Sequence, residues 1–188
     1  MNATLFTEAA ALQTWCLEQG WRFCFIGGLA VQCWGRPRVT DDIDVTLLTG
    51  FGDEERFAEV LLSRYAARIP NPVAFAANNR VMLLKTGDGF GIDIAFGGLP
   101  FEEAAVHRAR IVPLLPGIAL NVCTAEDLVV MKAFASRPID WSDVESIVAR
   151  QQGNLDWGYI YSQLEPLAEL KEAPEMVEQL RALEKRKR

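Results

Sequence analysis

Aspartate is a poor residue for a buried strand, because its strand propensity is low and an unpaired buried carboxylate is costly. This chain places two of them, Asp42 and Asp44, at the head of an apolar run (IDVTLL) and a third, Asp93, inside GIDIAF. Residues 43–48 and 91–96 are rich in β-branched and apolar side chains and read as strands. Side chains alternate along a strand, so Asp42 and Asp44 project to one face while Ile43 and Val45 project to the other. If the Asp93 strand lies beside them, the three carboxylates meet. Clustered like charges repel unless a cation lies among them, and three oxygen donors suit a hard divalent ion, Mg2+ or Mn2+. Any one aspartate alone is accounted for by strand capping or by an arginine partner. The three together, on apolar strands, point to metal. Asp41 faces the opposite way and stays outside the ligand set.

Upstream, residues 22–26 (RFCFI) read as a short buried strand that runs into Gly27-Gly28, with a helical stretch (LAVQCW) behind. Glycines at a strand-to-helix turn let backbone N–H groups approach a phosphate at the helix N-terminus. Tight packing selects glycine at such turns as well. The polar connection GRPRVTD carries Arg36, Arg38 and Thr40 towards Asp42. Its arginines either bind a triphosphate or pair with Asp41 and its neighbours. Lys132 stands on EDLVVMKAFA beside Leu128, Val129, Met131 and Phe134. It either snorkels from that apolar surface or points into a cleft.

The remaining pattern completes the layout. Helical character runs over 7–19, where Gly20 ends it, and over 53–66, where Asp53 is placed to cap it. IPNPVAFAANN reads as loop with at most a short strand. Residues 80–86 form a strand joined to 91–96 by the hairpin signal GDG. A short helix over 101–108 and one or two strands within 110–123, interrupted by Pro113 and Pro116-Gly117, follow. From Thr124, an N-cap with Asp127 three residues on, the pattern is helical only: 125–135, 141–151, 156–170 and 174–186. The fold class is α/β (α+β), a mixed β-sheet flanked by helices and followed by a C-terminal helical bundle, divided into 1–123 and 124–188.

Composition removes several classes. Half the residues are hydrophobic and 23% charged, which is globular. No apolar run approaches the roughly 18 residues that span a bilayer, so no membrane partner is expected. MNATLFTEAAALQTW lacks the basic start and apolar stretch of a signal peptide, and a reduced, cytoplasmic protein is expected. Cys16, Cys24, Cys33 and Cys123 make no CxxC pair, and a single histidine, His107, removes most routes to a Ser-His-Asp hydrolase. The net charge is −6, with 25 acidic residues against 19 basic ones. Four of the basic residues are the last four, Lys185, Arg186, Lys187 and Arg188. Such a body is no general polyanion binder. The basic end is either a phosphate-contacting arm or a solvated helix end.

Gly27-Gly28, thirteen intervening residues, Asp42-Ile43-Asp44 followed by Val45, and a later strand Asp93 form a pattern that resembles the DNA polymerase β-like nucleotidyltransferase superfamily. Within it, FIGGLAVQCWGRPRVTDDIDV and AEDLVVMKAFASRPIDWSDV are similar to AbiE-type (AbiEii-like) nucleotidyltransferases, a group that includes toxins of toxin–antitoxin systems. The resemblance spans about residues 22–150. It implies the nucleotidyltransferase fold, with 1–123 as catalytic domain and 124–188 as helical subdomain. It implies Asp42, Asp44 and Asp93 as catalytic, metal-holding carboxylates, with Mg2+ (or Mn2+) as cofactor. Gly27, Gly28, Arg36, Arg38, Thr40 and Lys132 would contact the nucleotide, and Asp140 and Asp143 match an acidic run of less defined role. The implied reaction moves NMP from an NTP, ATP among them, to a hydroxyl of tRNA, protein or a small molecule, and a cognate antitoxin is an implied partner. Two other readings compete. A catalytically silent nucleotide- or partner-binding domain has no need of three intact aspartates. A glycosyltransferase also uses DxD, but the Gly-Gly turn and the missing long Rossmann half disfavour it.

Overall fold

The computed structural model describes residues 3–151 and 153–187. Of the basic end, Lys185 and Arg186 stand on the last helix, while Arg188 and the Lys187 side chain lie outside the described residues. The chain divides into two compact units. One comprises Met1–Leu29 with Val39–Cys123, the other Ala30–Arg38 with Thr124–Arg188.

The first unit is built on a mixed seven-stranded sheet. Its strands are β1 (Phe23–Phe25), β2 (Asp42–Leu48), β3 (Ala66–Ala67), β4 (Val81–Lys85), β5 (Gly91–Gly97), β6 (Arg110–Leu115) and β7 (Ile118–Val122), in spatial order β3-β4-β5-β2-β1-β7-β6. The pairs β2–β5 and β1–β7 are parallel and the other four are antiparallel. Parallel partners in register share a face, and β2 against β5 shows two contrasting ones. Ile43↔Ile92, Val45↔Ile94 and Leu47↔Phe96 are all buried. Asp42↔Gly91, Asp44↔Asp93 and Thr46↔Ala95 form the other face. The apolar face pins the register, because a one-residue slip would turn three large apolar pairs outward.

Helices α1 (Ala3–Glu18), α3 (Glu54–Leu62), α4 (Pro72–Asn79) and α5 (Pro100–Arg108) accompany the sheet. Helix α1 packs on β2, β6 and β7, and α5 on β1 and β2. Two local expectations fail. The stretch read as one helix over 53–66 ends at Leu62 and turns into the edge strand β3. IPNPVAFAANN, read as loop, contains α4. Pro72 occupies the first helical turn, where its missing N–H is harmless, and Asn71 takes the left-handed conformation that precedes it. Two prolines in sequence signal a loop, but only Pro70 lies outside the helix.

The second unit contains α6 (Ala125–Ala135), α7 (Pro138–Gln151), α8 (Trp157–Leu170) and α9 (Glu175–Lys187), with α6 packed on the other three. Thr124 caps α6 by accepting a bond from Asp127 N at 3.2 Å. Residues 30–38 join this unit through the end of α2 (Gly27–Trp34). Its last carbonyls are taken up by α7: Arg150 Nη1 donates to Gln32 O and Gly35 O, and Gln151 Nε2 to Trp34 O. No helix among the described residues is long and apolar enough to cross a membrane.

Candidate functional site

Strand register sets the first group of residues. Asp44 and Asp93 are direct partners across β2 and β5, and Asp42 lies two residues before Asp44 on the same face. Asp42 is exposed, and Asp44 and Asp93 are half-buried. Glycines make the room for two of these carboxylates. A Cβ on Gly27 would lie 1.9 Å from Asp44 Oδ2, and one on Gly91 would lie 2.1 Å from Asp42 Oδ1. Gly27 has φ +57°, in the left-handed region that favours glycine. The turn it makes aims the next N–H, that of Gly28, at Asp44 Oδ2, 3.2 Å away. Gly28 in turn abuts Thr40, where a Cβ would lie 2.4 Å from Oγ1.

A cation already sits among these carboxylates. Arg68, immediately after β3, donates through Nη2 to Asp93 Oδ1, and its Nη1 lies 3.9 Å from Asp42 Oδ1. Among the described residues, no three His, Cys, Asp or Glu side chains are gathered closely enough to cage a metal ion as they stand. Burial raises the Asp93 carboxyl above its ordinary range. Arg68 opposes that rise, and the charges of Asp44 and Asp42 add to it. Arg68 and Gly91 escaped the reading of the sequence. A lone arginine in AARIP carries no local signal, whereas a glycine two residues before a strand aspartate was a legible one.

The remaining predicted residues fall in the second unit. Lys132 is 6% exposed, so it does not snorkel to water. Its Nζ is 2.9 Å from Asp140 Oδ1 and 3.0 Å from Asp143 Oδ2. Arg38 forks onto Asp143, with Nε and Nη2 at 2.9 and 3.0 Å. Arg137 holds Asp140 from the other side. Burial pushes both aspartates up. For Asp140 the bonds from Arg137 and Lys132, and for Asp143 those from Arg38 and Lys132, outweigh it and hold the carboxyls below the ordinary range. Arg38 therefore pairs with Asp143 rather than with Asp41. Arg36 lines a cleft of about 500 Å3 with Gly35, Ser142, Glu145, Ser146 and Arg150. None of the three strand aspartates lines it.

No protein-family model matches the chain, and no curated protein matches it in sequence. Solved structures do. The antibiotic-resistance factor ANT(2'')-Ia matches with TM-score 0.58 at 18% identity, over 95% of this chain and 99% of that one. An antigenic nucleotidyltransferase-like protein from Paracoccidioides brasiliensis matches at 0.52 and 14%, over 95% and 92%. The lincosamide antibiotic adenylyltransferase LnuA matches at 0.50 and 12%, over 78% and 96%. At these identities the likeness is one of fold: the chain shares the mixed sheet, flanking helices and helical C-terminal region of these nucleotidyltransferases.

Proposed function

We propose that this chain is a metal-dependent nucleotidyltransferase that moves NMP from an NTP, ATP among them, to a hydroxyl of a small molecule. The observation that carries it is the placing of Asp42, Asp44 and Asp93 on one face of two paired strands, beside the Gly27-Gly28 turn. The donor set fits Mg2+ or Mn2+, since all three groups offer hard oxygens and two stand at matching register positions. Asp42, Asp44 and Asp93 would hold the ion, which when bound supplies charge neutralisation at the phosphates and activates a hydroxyl.

The chain's own residues orient and exchange protons. The acceptor oxygen bonds to the α-phosphorus, the bond from α-phosphorus to the bridging oxygen breaks, and pyrophosphate leaves. Asp93 takes the hydroxyl proton. Gly28 N–H fixes the rotamer of Asp44 through Oδ2. Gly27, Gly28 and Thr40 are proposed as nucleotide contacts, as the family resemblance implies. Arg36, Arg38 and Lys132, which the resemblance also assigns to the nucleotide, stand in the second unit, where Arg38 and Lys132 are engaged by Asp143 and Asp140. Catalysis of this kind is mainly positioning and electrostatics, which suits a site without histidine.

A small-molecule acceptor is supported by two fold neighbours described as an antibiotic-resistance factor and an antibiotic adenylyltransferase. The net charge of −6 points away from long RNA. The AbiE-type strings favour a second reading, a toxin that modifies tRNA or protein and is restrained by a cognate antitoxin. Incubation with α-labelled NTPs and Mg2+ or Mn2+ tests the proposal, using lincosamides and other polyhydroxylated compounds, tRNA and a protein pool in separate reactions. Label entering small compounds, and lost in Asp44→Asn, supports it. Label in the tRNA or protein fraction selects the toxin reading. Nucleotide-induced stabilisation without transfer to any acceptor marks a silent binding domain.

A further inference from the structure

We infer that Arg68 is a built-in competitor of the divalent cation, holding Asp42 and Asp93 in the free protein and releasing them when a triphosphate offers its guanidinium another anion. Metal and nucleotide then bind cooperatively through this one side chain. The inference rests on the metal role proposed above for the three aspartates.

The geometry supplies the grounds. Arg68 N donates to Leu83 O at 2.9 Å, which ties the arginine's backbone to the sheet edge. Its guanidinium bonds Asp93, the register partner of Asp44 on β5, and faces Asp42, two residues before Asp44 on β2. A Cβ on Gly91 would lie 3.1 Å from Arg68 Nη1, so the glycine makes room for the arginine as well as for Asp42. The Arg68 side chain is 33% exposed, part-buried and still within reach of solvent. A guanidinium stays charged at any physiological pH, so it cannot vacate the carboxylates by losing a proton. It must move. Its bond to Asp93 Oδ1 takes up one acceptor site, and its positive charge beside Asp42 and Asp93 opposes the approach of a second cation. Phosphate is the natural alternative partner for a guanidinium fork. If nucleotide draws Arg68 away, it raises metal affinity, and by linkage the metal raises nucleotide affinity equally.

The test is Mn2+ binding, read from the electron paramagnetic resonance signal of the free ion, with and without a non-hydrolysable α,β-methylene NTP. Wild type, Arg68→Gln, Arg68→Lys and Asp44→Asn are compared, with melting curves as a check of folding. Without nucleotide, Arg68→Gln should bind Mn2+ roughly tenfold or more tightly than wild type, as expected when a unit positive charge is removed a few ångströms away. The analogue should tighten Mn2+ in wild type and do so much less in Arg68→Gln. Unchanged or weaker Mn2+ affinity in Arg68→Gln, with wild-type coupling, overturns the inference. Should that variant not fold, Arg68→Lys and wild type decide. The lysine keeps the charge and should keep Mn2+ affinity near that of wild type, and an analogue that fails to tighten Mn2+ in wild type overturns the inference. Asp44→Asn separates the two levels. If it binds Mn2+ as wild type does, the metal role of the aspartates fails and takes the inference with it. If it loses Mn2+ while Arg68→Gln leaves affinity unchanged, only the role of Arg68 falls.

Discussion

Gly27 and Gly20 share a left-handed backbone, with φ +57° and +70°, but not surroundings. A Cβ at Gly20 meets nothing within 4 Å, whereas one at Gly27 meets Asp44 Oδ2 at 1.9 Å. Gly20→Ala should therefore lose only the backbone part, about 1–2 kcal/mol, with activity kept. Gly27→Ala should lose that and also displace Asp44, so that labelled-NMP transfer falls by about 100-fold or more. Wild-type transfer by Gly27→Ala would show that Asp44 is not needed where it stands. Asp44→Asn makes the complementary change, keeping size while removing a charge that neighbours Asp93. Its melting temperature without metal should hold or rise, because repulsion is relieved. Mg2+ with NTP should stabilise wild type and shift the variant much less. Equal shifts would end the metal role assigned to Asp44. The three aspartates were legible in the sequence because carboxylates on apolar strands are costly. Arg68 was not, since it reaches them only through the sheet order β3-β4-β5-β2.

Helices α6 and α7 carry the buried charges of the second unit, and their energetics follow from pairing. Asp143→Asn leaves Lys132 with Asp140 alone and Arg38, whose side chain is 33% exposed, short of its fork, so it should destabilise by less than the roughly 3–5 kcal/mol of a fully buried broken pair. Both aspartates titrate below the ordinary value of 3.8 in the folded state. A depressed folded pKa contributes stability that is present above the unfolded value and lost as pH falls through the folded one. Urea unfolding should thus show a gap between wild type and Asp143→Asn that is full at neutral pH and closes as pH drops below 3.8. A gap independent of pH down to acid unfolding would mean that packing, not charge, sets the cost. At the start of α6, Thr124→Ala removes the oxygen that accepts from Asp127 N and should cost about 1 kcal/mol. Thr124 was recognisable from its spacing to Asp127, because capping is local chemistry. The helix α4 was not, because a proline in a first turn and a proline in a loop look alike until the chain direction is known.

Charge distribution governs which acceptors the whole chain meets. At −6, with four of its basic residues at one end, the protein repels polyanions except at that end. Transfer to a small-molecule acceptor should leave label in the acid-soluble fraction and change little between about 50 and 200 mM salt. Transfer to tRNA would fall steeply over that range through counterion effects. Label in an acid-insoluble, strongly salt-sensitive product would overturn the small-molecule assignment. Local chemistry alone decided much of this protein. Alternation put Asp42 and Asp44 on one face, glycines marked the junction of β1 with α2, and apolar periodicity separated a sheet region from a helical one. Those properties depend on neighbours a few residues apart, which sequence order displays directly. Non-local contact decided the rest. The pairing of β2 with β5 set Asp93 opposite Asp44, and the sheet edge delivered Arg68. Bonds from α7 drew residues 30–38 into the helical unit and placed Arg38 on Asp143. Such partners lie 25 to more than 100 residues apart, and no periodicity in the chain encodes which of them meet.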